Sequence, residues 1–260
     1  MLVDTHCHLN FSAFQKDLGQ VVDRAVENGV AKIICVSSNF ADAKKAIQIA
    51  KAHPGVVYAA VGIHPQQTDP KNPDSPTTQI KKLTEIAKQK QVIAIGECGL
   101  DYSPAPPNEK DRPKKEQLFL FKKQIKLAQK LNLPLIIHTR KAFADTIEVL
   151  KQYQNISGVF HCYSAGKKDI AKVNKLNFYF GVDGNLTYDE GLQNVFKEIP
   201  LEKILLETDA PFLSPDPFRG QRNEPKNVKI IAKCLAQLKN VSFEKICRIT
   251  IQNAQKLFQI

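Results

Sequence analysis

Short apolar runs alternate with stretches of helical hydrophobic spacing from one end of the chain to the other. The runs cover residues 2–8, 32–37, 56–64, 92–97, 133–138, 158–161, 178–182 and 204–209. Between them, apolar residues recur at intervals of three and four, as in Leu18, Val21, Val22, Ala25 and Val26 after the first run. Phe119, Ile125, Leu127, Ala128 and Leu131 do the same after the fourth. Short apolar runs predict buried strands, and the 3.6-residue period predicts helices packed against them. Eight strand-then-helix units in 260 residues predict one α/β domain over residues 1–260, a (β/α)8 TIM barrel. The alternative is an open doubly wound sheet. Segment 227–260 reads as two or three helices that close the outer layer.

Composition narrows the class. A hydrophobic content of 43% suffices for a core, and no apolar stretch approaches membrane-spanning length. The start, Met1-Leu2-Val3-Asp4, lacks the basic region and apolar core of a signal peptide. The expectation is a cytoplasmic protein with no membrane association and no evident obligate protein partner. Six cysteines without Cys-x-x-Cys pairing suit reduced thiols. Cys7, Cys98 and Cys162 each neighbour a candidate functional residue, and strand alternation turns them to the opposite side, into packing. With 37 Lys plus Arg against 26 Asp plus Glu, the net charge of +11 favours a polyanionic partner such as nucleic acid. Much of the excess is lysine on predicted helices, which solvated faces would also show.

The candidate chemistry lies at the ends of the runs. Five of the six histidines sit there, beginning with His6 and His8, which point to one side of a strand and can share one metal ion. His64, His138 and His161 end other runs, and Glu97 and Asp209 end two more. His53, in Ala-His-Pro-Gly, is a helix stop without acidic or histidine neighbours. Neutral imidazole and carboxylate form the ligand set of a divalent-metal hydrolase. Residues from strands one, four, five, six and eight converge only if the sheet closes, which favours the barrel over the open sheet. Two proline-rich loops, 65–76 and 103–113, follow functional strand ends and would lie over the mouth.

Seven ordered pieces, running almost the whole length, resemble the TatD-type metal-dependent deoxyribonucleases of the amidohydrolase superfamily. They are Asp4-Thr5-His6-Cys7-His8-Leu9, Gly62-Ile63-His64-Pro65, Gly96-Glu97-Cys98-Gly99-Leu100-Asp101-Tyr102, Ile137-His138-Thr139-Arg140, His161-Cys162-Tyr163-Ser164, Glu207-Thr208-Asp209-Ala210-Pro211 and Arg222-Asn223-Glu224-Pro225. The resemblance implies a (β/α)8 barrel that holds divalent ions and hydrolyses DNA phosphodiesters, typically as an exonuclease on single strands. Loop 103–113 is long and proline-rich for that family. By the same resemblance, His6, His8 and Asp209 hold one ion, His138 and His161 a second, and Glu97 bridges them. A carboxylate has the two oxygens such a bridge needs. The expected cofactor is therefore two divalent ions, Mg2+, Mn2+ or Zn2+.

Glu97 or Asp209 is the expected acceptor of the attacking water's proton, with Glu207 on the same strand orienting ligands. His64, Arg140, Arg222 and Asn223 are the expected phosphate or sugar contacts, because a guanidinium fork matches phosphate oxygens and an amide can donate to them. Arg140 could instead open a helix, and Arg222-Asn223 could be turn chemistry. Two other readings follow from fold without site. One is a superfamily hydrolase of small molecules, cleaving a carbon–nitrogen bond or a phosphotriester; many such barrels bridge their metals with a modified lysine where this chain has Glu97. The other, a binding protein that has lost chemistry, would lack ligands.

Overall fold

The computed structural model describes residues 1–67, 75–105 and 111–260. Parts of the two proline-rich loops, residues 68–74 and 106–110, lie outside the described residues. Eight parallel strands form one sheet in chain order: β1 (Leu2–Cys7), β2 (Val30–Val36), β3 (Val57–Val61), β4 (Val92–Asp101), β5 (Leu135–Arg140), β6 (Gly158–Phe160), β7 (Tyr179–Val182) and β8 (Ile204–Leu206). Helices α1 (Leu18–Glu27), α2 (Phe40–Ala52), α3 (Pro76–Ile86), α4 (Lys114–Leu131), α5 (Phe143–Leu150), α6 (Ile170–Lys175) and α7 (Glu190–Glu198) follow the first seven strands in turn. After β8 come α8 (Val228–Lys239) and α9 (Phe243–Phe258). The architecture is the (β/α)8 barrel.

Closure between β8 and β1 runs through a few strong contacts. Thr5 Oγ1 donates to the Leu206 carbonyl at 3.0 Å, and the Asp209 N–H to the His6 carbonyl at 2.8 Å. The His8 N–H donates to the Ala210 carbonyl at 2.7 Å. Across the same seam, the buried Asp4 carboxylate accepts from Thr208 N at 2.9 Å and Thr208 Oγ1 at 2.6 Å. The seam that closes the barrel thus runs through three candidate ligands, His6, His8 and Asp209.

Apolar residues from every strand fill the barrel: Val3, Ile34, Ala60, Ala94, Ile136, Val159, Tyr179 and Leu205. The alternate positions, among them Ile33, Ala59, Ile95, Ile137 and Phe180, pack outward with the helices. Such two-sided burial is why the strands read as continuous apolar runs. Helix α9 departs from the expected outer layer, because its Ala254, Leu257 and Phe258 join the interior cluster. Its Asn253 amide also donates to the carbonyls of Leu201 at 2.9 Å and Ile204 at 2.8 Å. Two apolar residues of the helical pattern, Val26 and Phe119, stay exposed; Phe119 lies under Lys123. Among the described residues, no helix is long and apolar enough to cross a membrane.

Candidate metal centre

Five of the six histidines surround one carboxylate. Glu97 Oε1 lies 2.7 Å from His138 Nδ1, 3.2 Å from His161 Nε2 and 3.8 Å from His64 Nε2. Its Oε2 lies 3.7 Å from His6 Nε2 and 3.9 Å from His8 Nε2. Asp209 Oδ1 completes the second group, at 3.5 Å from His6 Nε2 and 3.3 Å from His8 Nε2. The two oxygens of Glu97 therefore face different sets of donors.

Local backbone geometry produces this convergence. The pairing of β1 with β2 shifts register between Asp4 and Cys7, and that of β4 with β5 between Ile95 and Cys98. Each shift reverses side-chain parity, so Val3 and His6, and likewise Ala94 and Glu97, face the barrel interior despite odd spacing. Cys7 and Cys98 pack outward. At Gly99, φ is 145° and a Cβ would collide with the His138 carbonyl, so glycine alone lets β4 lie this close to β5 beside Glu97. Asp209 adopts φ 54°, which aspartate tolerates, in a turn closed by the Phe212 N–H to the Asp209 carbonyl at 2.9 Å.

Hydrogen-bond partners fix most of the imidazole roles. His8 Nδ1 faces the Val36 carbonyl at 3.0 Å and must donate to it, which leaves the Nε2 lone pair for a cation. His161 Nδ1 faces Glu207 Oε1 at 3.3 Å, an ion-pair contact that likewise turns Nε2 toward the site. His6 Nε2 and His8 Nε2 stand 3.3 Å apart, while buried His6 Nδ1 has no hydrogen-bond partner among the described residues. Two nitrogens and two carboxylate oxygens gathered in this way fit a divalent cation. His138 bonds Glu97 through Nδ1 and Asp101 Oδ2 through Nε2, at 3.0 Å, so ligation there requires exchange of one carboxylate. His64 differs: its Nδ1 accepts from the Gln66 N–H at 3.2 Å. Its Nε2 then carries the hydrogen, making it a donor into the cleft rather than a ligand.

Electrostatics agree with that division. Burial alone would raise the Glu97 pKa, but the imidazoles of His161 and His64 and the His138 hydrogen bond hold it well below the usual carboxylate range. Burial opposes a charge on His161, yet Glu97 and Glu207 outweigh it and hold its pKa well above normal. Burial pushes His64 down to about 3, so it stays neutral. Asp101 is drawn down to about 2 against its own burial by hydrogen bonds from His138 and Ser103.

An open cleft of about 550 Å³ gives access to this cluster, lined in part by His64, Asp101, Arg140, Phe11 and Phe212. Arg140 reaches it from the end of β5 and makes no ion pair among the described residues. Arg222 and Asn223 are not brought to its lining. The Arg222 guanidinium grips Asp17 with bonds of 2.8 and 2.7 Å and reaches Glu224 at 3.1 Å. Asn223 is fully buried; its amide donates to the carbonyls of Thr208 at 2.9 Å and Phe212 at 2.8 Å. These bonds brace the turn that carries Asp209, and Asn223 is not among the residues that line the cleft, the expected place of a substrate contact. His53 lies at the end of α2, outside the site. Sequence reasoning assigned no role to Asp101, which extends β4 beyond Glu97 and shares its strand face at four-residue spacing.

Donor atoms of this kind at the C-terminal mouth of a (β/α)8 barrel define a metal-dependent hydrolase. The chain belongs to the TatD related DNase family, whose model matches residues 3–259. It is 38% identical to the uncharacterized metal-dependent hydrolase YabD of Bacillus subtilis, over 100% of both chains. It is 33% identical to the human deoxyribonuclease TATDN3, over 99% of this chain and 94% of that one. The crystal structure of YJJV, a TatD homologue from Escherichia coli, superposes with a TM-score of 0.88 at 28% identity, covering 100% of this chain and 98% of the other.

Proposed function

We propose that this hydrolase cleaves phosphodiester bonds in DNA, as an exonuclease on single strands, with two divalent ions of the Mg2+, Mn2+ or Zn2+ class. The observation that carries the two-ion reading is the division of Glu97: one oxygen toward His6 and His8, which also meet Asp209, the other toward His138, His161 and His64. The deoxyribonuclease name of TATDN3 and the net charge of +11 support a DNA substrate.

When bound, the ions would supply the charge that polarises a phosphoryl group and acidifies the attacking water. His6, His8 and Asp209 would hold one, His138 and His161 the other, with Glu97 between them. Asp209, whose side chain is more exposed than that of Glu97, would take the proton of the water. The Nε2–H of neutral His64 donates to a phosphate oxygen, and Arg140 offers its fork to a neighbouring phosphate. Glu207 orients His161 from behind. Six free cysteines suit a reducing, cytoplasmic setting.

End-labelled single- and double-stranded oligonucleotides, incubated with the purified protein across a metal series, test the proposal. Stepwise shortening of single strands, abolished by chelator and weakening with salt, is the expected result. Turnover of a phosphotriester or a cyclic amide with no oligonucleotide cleavage under the same metals would overturn it.

A further inference from the structure

Five large apolar side chains are exposed among the described residues, and Phe212, at 50% exposure, is the one among them that lines the cleft. It stands beside Phe11, with ring centroids 6.1 Å apart and nearly perpendicular planes, and its edge meets His8 at 6.2 Å. Phe11 is itself stacked on His8 at 4.5 Å, so one of its faces is used within the protein. The exposed ring is therefore that of Phe212, one turn away from Asp209, whose carbonyl accepts its N–H.

The opposite wall has a different character. Arg140 ends β5, and in a ring ordered β1 to β8 the strands β1 and β5 stand across from each other. The cleft thus has an aromatic wall at the β8–β1 edge, a cationic wall at β5, and the imidazole cluster between them. A nucleotide chain has the same alternation: a flat apolar base, a phosphate, then another phosphate one residue on.

We propose that Phe212, backed by Phe11, is a stacking platform for one unpaired nucleobase next to the scissile phosphodiester, with the following phosphate directed to Arg140. The inference rests on the nuclease reading above and adds the register in which the strand lies. Stacking on an aromatic ring tolerates any base, since each has a π-face, and it requires that face to be uncovered. A base within a duplex has both faces covered by its neighbours. The platform therefore supplies a physical origin for preference toward single strands without sequence preference. Isolated exposed apolar residues are common on protein surfaces; the position of Phe212 between a candidate ligand and the cleft opening distinguishes it.

The test pairs Phe212→Ala and Phe212→Trp with a single-stranded decamer of thymidylate and with decamers carrying one abasic residue at each position in turn. With wild-type protein, one abasic position should lower kcat/KM by roughly tenfold, the scale of one base stacked on an aromatic ring. Phe212→Ala should lose about the same factor on the intact decamer, lose nothing further on that abasic one, and keep its metal content. Phe212→Trp should retain wild-type efficiency. Affinity for the intact decamer in chelator, where no strand is cut, should fall for Phe212→Ala and hold for Phe212→Trp. Penalties that multiply would mean that ring and base do not meet, and wild-type kinetics in Phe212→Ala would remove the platform while leaving the nuclease reading standing. Failure of the metal-loaded wild-type protein to cleave any oligonucleotide would overturn both.

Discussion

The Nε2 atoms of His6 and His8 face each other across 3.3 Å, with Asp209 Oδ1 within 3.5 Å of both. A hydrogen on His6 Nε2 bridges this pair in the absence of metal, and a divalent cation would replace it as the partner of both nitrogens. On the two-ion proposal, His8→Ala should remove about one divalent ion, read by elemental analysis, whereas Glu97→Ala should weaken both sites. Loss of several kcal/mol of transition-state charge stabilisation corresponds to about 10²- to 10⁴-fold in rate, and Glu97→Ala should reach the upper end. Full metal content in Glu97→Ala would show that this carboxylate is no bridge.

Metal uptake should release protons. Without an ion, Glu97 and Glu207 outweigh burial and favour the protonated form of His161. Ligation by Nε2 must displace that proton, so affinity should rise with pH, and calorimetry in buffers of different ionisation enthalpy should register the release. The linkage for the metal-free protein has the opposite sign. A raised folded-state pKa stabilises below the ordinary value of 6.5 and is lost as pH climbs through the folded value, so the stability contributed by His161 should decline on the alkaline side. A metal affinity independent of pH would contradict this assignment.

Glu207 is accommodated beneath His161 because β7 has a glycine opposite it. A Cβ on Gly181 would fall 2.5 Å from Glu207 Oε2. Gly181→Ala should displace the carboxylate, release His161 and lower metal affinity by about 10- to 100-fold, as outer-shell changes do. Glu207→Gln, which keeps the shape, should produce a similar loss of affinity with a smaller loss of thermal stability. Wild-type metal affinity in both variants would leave Glu207 without a part in orienting the ligand.

The eight strands were legible because burial on both faces leaves uninterrupted apolar runs, and the ligand-bearing positions because a closed barrel gathers its strand ends at one mouth. Strand phase was not. Simple alternation from Val3 or Ala94 turns His6 and Glu97 outward, and the register shifts that correct this leave no mark in the hydrophobic pattern. Asp101 was hidden by the same blindness to strand length, since β4 runs four residues past Glu97 with no further apolar run to announce it. Asn223 and Arg222 show a different limit: motif spacing places them after Asp209, but their roles depend on partners elsewhere in the fold, Asp17 being 205 residues away from Arg222.

Arg222 belongs to an ion-pair network that ties the segment after β8 to α1, with Arg24 also bonded to Glu224 at 2.8 and 2.9 Å and to Asp17 at 3.2 Å. Its two bonds to Asp17 are the main reason that carboxyl is held down to about 2 from an ordinary 3.8. A depressed carboxyl pKa stabilises fully above the unfolded value and is lost as pH falls through the folded one. Arg222→Ala should therefore lower the melting temperature at pH 7, and the difference from wild type should shrink between pH 4 and pH 2 as both proteins protonate Asp17. Because the pair is partly exposed, the penalty should be about 1 kcal/mol or less. Since Asn223 follows directly and braces the Asp209 turn, a loss of catalytic efficiency should accompany the melting shift and be recovered by Arg222→Lys in proportion to recovered stability. Catalytic loss in Arg222→Ala at unchanged melting temperature and metal content would instead return this guanidinium to the substrate.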